Sequence, residues 1–191
     1  MHQLKWVETC WFKMKIYFYF IAFILFSLNG GCIKSASKSA NSDMYYFDIK
    51  TFFEGETIKL NTKNPTINKT VWINNKAEKK QIKINNWETE FSLFTNSDIN
   101  KSAWKNSYSI DSTALNITYT AKVADLKTRS IIINMVNKKP VSVTIINHQK
   151  NYIFESWENL FYRTNVGYKI KKKQKLLFWD AVVFKVETRF K

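Results

Sequence analysis

A two-residue period of apolar side chains dominates the chain after residue 115 and limits most strongly how it can fold. Apolar and polar residues alternate over 115–123, 141–145 and 182–187. Such alternation puts the apolar side chains on one face of a β-strand. Segments 130–136 and 152–162 are apolar on both faces in part, which is typical of central strands. Turn-forming residues at 137–140 and 147–151 leave only short connections, so neighbouring strands are predicted to pair antiparallel.

The segment before residue 105 mixes helical and strand patterns. Residues 44–60 are predicted to form an amphipathic helix capped by Ser42 or Asp43, because their apolar residues recur at helical spacing. Residues 70–84 alternate like a β-hairpin that turns at Asn74–Asn75.

A second helical pattern follows the hairpin. Apolar residues recur at helical spacing over 87–94, and Asn85 with Glu88 forms a candidate capping box. Residues 96–104 are predicted to form another short helix. Together with the strands, these patterns predict an α+β fold, an antiparallel sheet of about six to eight strands with N-terminal helices packed on one face. The predicted single domain spans 44–191, without an internal repeat.

An uncharged apolar run occupies residues 16–28, after two lysines. As a helix that rises about 1.5 Å per residue, this run is too short for the roughly 30 Å hydrocarbon core of a membrane. A basic start, a short apolar stretch and small residues after it form the pattern of a secretory signal peptide. We therefore predict a signal peptide over 1–31, with Met14 as an alternative start.

The sequence Leu28-Asn29-Gly30-Gly31-Cys32, at the end of this run, resembles a bacterial lipobox. In lipoproteins, the signal peptidase cuts before the cysteine, whose thiol receives a diacylglycerol. The resemblance therefore implies cleavage between Gly31 and Cys32 and lipidation of Cys32. Asn29 departs from the pattern, because leucine is usual at its position. The alternatives are an ordinary signal peptide with a chance cysteine, and an uncleaved anchor.

The chain also resembles small lipoproteins of Bacteroidota-type bacteria, in its leader and in the segment FDIKTFFEGETIKLN at 47–61. Residues 32–43 are rich in serine, alanine and lysine, which is typical of a flexible tether. By the same resemblance, Ile33 in place of aspartate implies retention at the outer membrane. The lack of an acidic cluster after Cys32 implies a domain that faces the periplasm. Two or three acyl chains are enough to anchor such a domain stably.

After cleavage, the chain contains few of the residue types that bind metals or nucleotides. Cys32 is then the only cysteine, so no disulfide and no catalytic thiol is expected. His148 is then the only histidine, which is too few for a zinc site. Gly55 and Gly167 are too few for a phosphate-binding loop. No metal and no cofactor is therefore predicted.

Positive charge characterises the surface, with 30 lysine and arginine residues against 15 acidic ones. The strongest run is 169–175, which as a strand would place Tyr168 and Ile170 on one face. The other face carries Lys169, Lys171, Lys173 and Lys175. These lysines are predicted to contact anionic phospholipid, lipopolysaccharide or another acidic polymer, or else to form a solvated face that prevents edge pairing. Nucleic acid is not an expected partner, because the domain leaves the cytoplasm.

These features favour a non-enzymatic envelope lipoprotein, an interaction or structural domain with a membrane or protein partner. One alternative is a periplasmic lipid- or lipoprotein-binding half-barrel, which needs an apolar pocket beneath the helices. Another is a glycan-acting enzyme, which needs two carboxylates about 5–9.5 Å apart. Its candidate pairs are Glu88 with Glu90, Glu155 with Glu158, and Asp180 with Glu187.

Trp72 alternates with Val71 and Ile73, so it is predicted to face the other side of its strand.

Overall fold

Nine strands form one antiparallel sheet in the order β2-β1-β9-β8-β7-β6-β5-β4-β3. The structure, a computed structural model, describes residues 44–191. The predicted signal peptide (1–31), the alternative start at Met14, the lipidation site Cys32 and the tether (32–43) lie outside the described residues. The elements in chain order are α1 (Ile49–Lys63), β1 (Thr66–Ile73), β2 (Lys76–Lys83), α2 (Trp87–Glu90), α3 (Ser92–Thr95), a 3-10 helix (Ser102–Trp104), β3 (Tyr108–Ser112), β4 (Asn116–Ala121), β5 (Thr128–Val136), β6 (Lys139–Lys150), β7 (Phe154–Arg163), β8 (Gly167–Leu176) and β9 (Val182–Phe190).

The sheet is a meander from β3 to β9, to which the first hairpin is added. Each strand from β3 onward pairs with the next one, and β1 pairs antiparallel with β9. The start and the end of the domain are therefore neighbours in the sheet. The edge strand β2 has the sequence KAEKKQIK and is mostly exposed. Exposed lysines of this kind discourage edge-to-edge pairing with another molecule.

The prediction of an antiparallel sheet is confirmed, but the predicted count of six to eight strands is wrong. The additional strand is β3, in which only Tyr108 is buried and the next four residues are exposed. Such a strand has no apolar alternation from which it can be recognised. The predicted turn at 147–151 is also misplaced, because β6 continues to Lys150.

The first helix begins later than its pattern predicts. The N-cap is Asp48, whose carboxylate accepts from the backbone N–H of Thr51 at 2.9 Å, and not Ser42 or Asp43. The residues before Asp48 are held outside the helix, because the backbone N–H groups of Tyr45 and Tyr46 donate to the Asn100 side chain. The buried residues of α1 are Ile49, Phe53, Glu56 and Leu60.

The two short helices are also placed differently from the prediction. Asn86, rather than Asn85 with Glu88, caps α2 by accepting from the backbone N–H of Thr89. Over the predicted helix at 96–104, the structure contains only the 3-10 turn Ser102–Trp104.

The contacts between α1 and the sheet combine aromatic packing with a buried hydrogen bond. The ring of Phe53 lies 5.2 Å from that of Tyr162 on β7. One turn along the helix, the Glu56 carboxylate accepts from the Tyr162 hydroxyl at 2.5 Å. Burial and the neighbouring carboxylate raise the pKa of Tyr162, so its hydroxyl remains a hydrogen-bond donor.

A second tyrosine–glutamate pair lies between α2 and β8. The Tyr168 hydroxyl donates to Glu90, which also pairs with Lys69 of β1 at 2.5 Å. Burial and the charge of Glu90 raise the pKa of Tyr168. We call the sheet face that bears Tyr162 and Tyr168 the inner face, and the opposite one the outer face.

Candidate functional site

The structure brings the four predicted lysines together on the outer face of β8. Tyr168 and Ile170 are buried on the inner face, as the alternation predicts, while all four lysines are exposed. We call this group the lysine face: Lys169, Lys171, Lys173 and Lys175. Lys171 lies directly opposite Lys185 of β9, and both Lys169 and Lys185 pair with Glu187, at 3.4 and 3.2 Å. The lysine face therefore concentrates positive charge, part of which Glu187 balances.

Aromatic rings lie among these charges. The Lys173 ammonium is 5.4 Å from the ring centroid of Trp157, and the Lys185 ammonium is 4.4 Å from that of Trp72. Trp72 thus lies on the outer face, in agreement with its predicted orientation. The imidazole of His148 stacks on Trp157 and bonds Glu155 at 2.9 Å. The outer face offers both cations and flat rings, a combination that suits an anionic or amphipathic partner.

Exposed apolar side chains lie at one end of the sheet, in the β6–β7 and β8–β9 turns. We call them the apolar tip: Tyr152, Ile153, Leu177, Phe178 and Trp179. The exposed fraction is 98% for Tyr152 and 82% for Phe178. The two turns are joined, because the backbone N–H of Leu177 donates to the carbonyl of Ile153 at 3.0 Å. One cleft contains Tyr152, Ile153 and Leu177 of the apolar tip. Lys150 and Lys175 line the same cleft, together with Glu155.

A polar cavity lies near the same end, on the inner face. Adjacent strands place Asn147, Glu158 and Lys172 side by side in one row. The next row contains Gln149, Ser156 and Gln174. The cavity that these six side chains line has a volume of about 290 Å³.

Glu158 is the buried charge of this cavity, with 6% of the residue exposed. Its carboxylate lies 3.0 Å from the Asn147 amide nitrogen, 3.1 Å from the Lys172 ammonium and 3.9 Å from that of Lys127. Burial alone would raise the pKa of Glu158. The hydrogen bonds from Asn147 and Lys172 and the two lysine charges outweigh burial and lower the pKa.

This balance predicts a loss of stability in acid. Because the folded pKa of Glu158 is below its ordinary value of 4.5, the folded state binds fewer protons there than the unfolded state. The stabilisation is present above that value and is lost as the pH falls through the folded pKa. In urea unfolding between pH 6 and pH 3 (about the range that brackets an ordinary glutamate), Glu158→Gln should lose less stability than the wild type. Glu54→Gln, at an exposed position on α1, should keep the wild-type acid loss.

The structure separates the members of the predicted carboxylate pairs: Asp180 lies in the β8–β9 turn, whereas Glu187 lies opposite Lys169 near the far end of β9. Glu155 bonds His148 on the outer face, whereas Glu158 is buried on the inner face of the same strand. Glu90 is bonded to Tyr168 and Lys69, while Glu88 borders a separate depression of about 390 Å³ between α1 and α2–α3. Among residues 44–191, no group of three potential metal ligands is found.

The layer between α1 and the sheet is occupied by side chains. Phe53 lies 4.7 Å from Phe94 and 5.1 Å from Phe91, measured between ring centroids. Tyr162 and Tyr168 fill the space below them. The space directly beneath α1 is therefore filled, while the depression of about 390 Å³ lined by Phe53 and Phe91 opens beside it, between α1 and α2–α3.

Sequence reasoning missed the polar cavity and the apolar tip. Lys172 lies two residues from Ile170 on β8, and Glu158 lies two residues from Leu160 on β7, so each is on the same strand face as a buried apolar residue. This spacing could have identified the two as an inward-facing pair. The tip was present as the apolar run 177–179, directly after the lysine-rich strand.

No protein-family model matches this chain, and neither a curated protein nor a solved structure is significantly similar to it. Within residues 44–191, every helix is too short or too polar to cross a membrane. The arguments about function therefore depend on the site itself.

Proposed function

We propose that the protein is a non-enzymatic, lipid-anchored envelope protein whose domain binds an anionic membrane surface through the apolar tip and the lysine face. The observation that carries this proposal is the juxtaposition of exposed Phe178 and Trp179 with the lysines of β8. Aromatic and aliphatic side chains favour the boundary between headgroups and acyl chains, and flanking lysines favour anionic headgroups.

The two parts of this surface have different roles. The apolar tip inserts side chains below the headgroups, which makes binding depend on the loss of apolar surface from water. The lysine face attracts the membrane at longer range, with about 1 kcal/mol for each lysine near an anionic surface. In this arrangement the helices cover the inner face of the sheet, and the outer face remains for the membrane.

The N-terminal segment supplies the second attachment in this proposal. Lipidation of Cys32 would hold the domain at the outer membrane, on its periplasmic side, and residues 32–43 would let it reach the bilayer. One anchor and one basic surface together give the two signals that stable membrane attachment requires. A protein partner at the same surface is compatible with this role, and nucleic acid is not expected there.

Vesicle flotation tests the surface, with the full chain carrying Cys32→Ala so that lipidation does not hold every variant at the membrane. We expect the chain to bind vesicles containing phosphatidylglycerol more tightly than vesicles of phosphatidylcholine alone. The tip variant Phe178→Ser/Trp179→Ser and the lysine variant Lys171→Gln/Lys173→Gln/Lys175→Gln should each weaken binding to the anionic vesicles at least about tenfold. Added salt should weaken the wild type more than the lysine variant.

The matched control removes the same charge from another strand. Lys76→Gln/Lys79→Gln/Lys80→Gln changes three exposed lysines of β2 and should leave vesicle binding close to that of the parent chain. If this control weakens binding as much as the β8 variant does, general charge and not the lysine face is responsible. Binding that survives the tip variant unchanged would exclude insertion of the tip.

The anchor has a separate test. The N-terminal peptide of membrane-extracted protein should begin at Cys32 and have the mass of an acylated cysteine. Cys32→Ala should abolish this modification and release the protein from the membrane fraction. An unmodified chain that still begins at Met1 or Met14 would contradict the lipoprotein assignment and would bring nucleic acid back as a candidate partner.

A further inference from the structure

The polar cavity contains two buried atoms without a hydrogen-bond partner among the described residues. They are Oδ1 of Asn147 and Oγ of Ser156. Asn147 is 1% exposed and Ser156 is 7% exposed, and both side chains line the cavity. Buried polar groups in folded proteins almost always have partners, because an unpaired one lowers stability. These two atoms therefore indicate that the cavity receives something from outside the chain.

The neighbours of Asn147 determine which end of its amide is unpaired. Its nitrogen lies 2.8 Å from Ser97 Oγ and 3.0 Å from the Glu158 carboxylate. The Ser97 hydroxyl donates to the carbonyl of Leu93 at 2.8 Å, so it accepts from Asn147. The ionised Glu158 carboxylate only accepts. A flipped amide would place oxygen against both acceptors, so the unpaired atom is an acceptor that needs a donor.

The two lysines of the cavity disfavour a cation, and the unpaired acceptor of Asn147 disfavours an anion. Lys172 and Lys127 already lie within 3.1 and 3.9 Å of Glu158, so a third positive group would be repelled. An anion would meet the Glu158 carboxylate and the unpaired carbonyl oxygen of Asn147. A hydroxyl group both donates and accepts, and it can serve Asn147, Ser156 and Lys172 alike.

We propose that the polar cavity binds a neutral, hydroxyl-rich ligand, a sugar unit either free in solution or carried by a lipid headgroup. Asn147 and Ser156 would bond its hydroxyls, and Gln149 and Gln174 would add amide groups at the entrance. Phe154 supplies an apolar wall for the C–H face of the ring. This site is on the inner face and does not depend on membrane binding by the tip.

Saturation-transfer NMR on the full chain tests the proposal with the methyl glycosides of glucose, galactose, mannose and N-acetylglucosamine. At least one glycoside should bind, while inorganic phosphate and putrescine should not compete with it. Ser156→Ala should raise the Kd about three- to tenfold, as expected for the loss of one hydrogen bond. The thermal unfolding temperature of this variant without ligand should not fall, because Ser156 Oγ has no partner within the described chain.

Ser130→Ala is the matched control, since Ser130 lies opposite Ile146 on the outer face and should leave the Kd unchanged. Vesicles of phosphatidylcholine with and without a galactolipid distinguish a free sugar from a lipid headgroup sugar. Binding to the galactolipid vesicles alone, and to none of the methyl glycosides, identifies a headgroup sugar. Failure of every glycoside and of the galactolipid would overturn the proposal and leave a cavity filled by water only. Displacement of a glycoside by phosphate, or equal effects of Ser156→Ala and Ser130→Ala, would overturn it as well.

Discussion

Replacing Phe53 with alanine should reduce the free energy of unfolding by about 3–5 kcal/mol, a large part of the stability of a domain of this size. Phe53 is fully buried and is the ring around which the aromatic core is arranged. Its centroid lies 4.7–5.2 Å from those of Phe91, Phe94 and Tyr162. Phe91 lies between α2 and α3, Phe94 on α3 and Tyr162 on β7. These separate elements restrict collapse of the rings into the space that alanine leaves. Urea unfolding followed by far-ultraviolet circular dichroism measures the loss.

Phe178→Ala is the matched control, because it removes the same side chain from the apolar tip. Phe178 is 82% exposed, so its removal should change the stability by no more than about 0.5 kcal/mol. Phe53→Ala should therefore lower the stability of the domain, whereas Phe178→Ala should keep that stability and weaken vesicle binding. A similar loss of stability in both variants would mean that the tip is packed against the domain and is not available to a membrane.

The strands could be predicted from the sequence because one face of each is buried against a common core. Val143 and Ile145 are buried on β6, and Thr144 lies between them facing outward, as their alternation requires. The same logic gives the orientation of the lysines of β8, because Tyr168 and Ile170 mark the inner side of that strand. Where a strand buries almost nothing, as in β3, this source of information is absent.

Helix boundaries were less predictable, because contacts with distant residues decide them. Tyr46 fits the apolar stripe of α1 and is buried, yet it precedes the helix because Asn100 binds its backbone. Glu56 interrupts the same stripe, and its burial makes sense only once Tyr162 is placed above it, 106 residues later in the chain. No local pattern contains this pairing.

The candidate sites show the same division between local and distant information. The lysine face is a property of one strand and can be seen in the sequence. The apolar tip requires that the β6–β7 and β8–β9 turns meet, which follows from the antiparallel order of four strands. The polar cavity requires the register of β6, β7 and β8, since a shift of one residue would send Glu158 to the outer face.

Gly167→Ala should destabilise the protein by about 3 kcal/mol or more, from backbone strain and from a clash between two strands. Gly167 has φ 147°, a conformation that L side chains rarely adopt. A Cβ atom there would lie 2.0 Å from the Thr188 carbonyl oxygen on β9. The start of β8 and the end of β9 would therefore have to separate, because Gly167 lies opposite Arg189. Thermal unfolding and urea unfolding should both report the loss.

The other described glycine provides the opposite expectation. A Cβ atom on Gly55, inside α1, would meet nothing within 4 Å, and the residue is helical. Gly55→Ala should therefore stabilise the protein by about 0.5–1 kcal/mol, because alanine favours the helix and loses less backbone entropy on folding. If the free energy of unfolding falls in Gly167→Ala and rises in Gly55→Ala, the destabilisation comes from the close approach of Gly167 to β9 and not from alanine itself. If Gly167→Ala were neutral, the close approach of Thr188 to Gly167, and with it the register of β8 against β9, would be wrong.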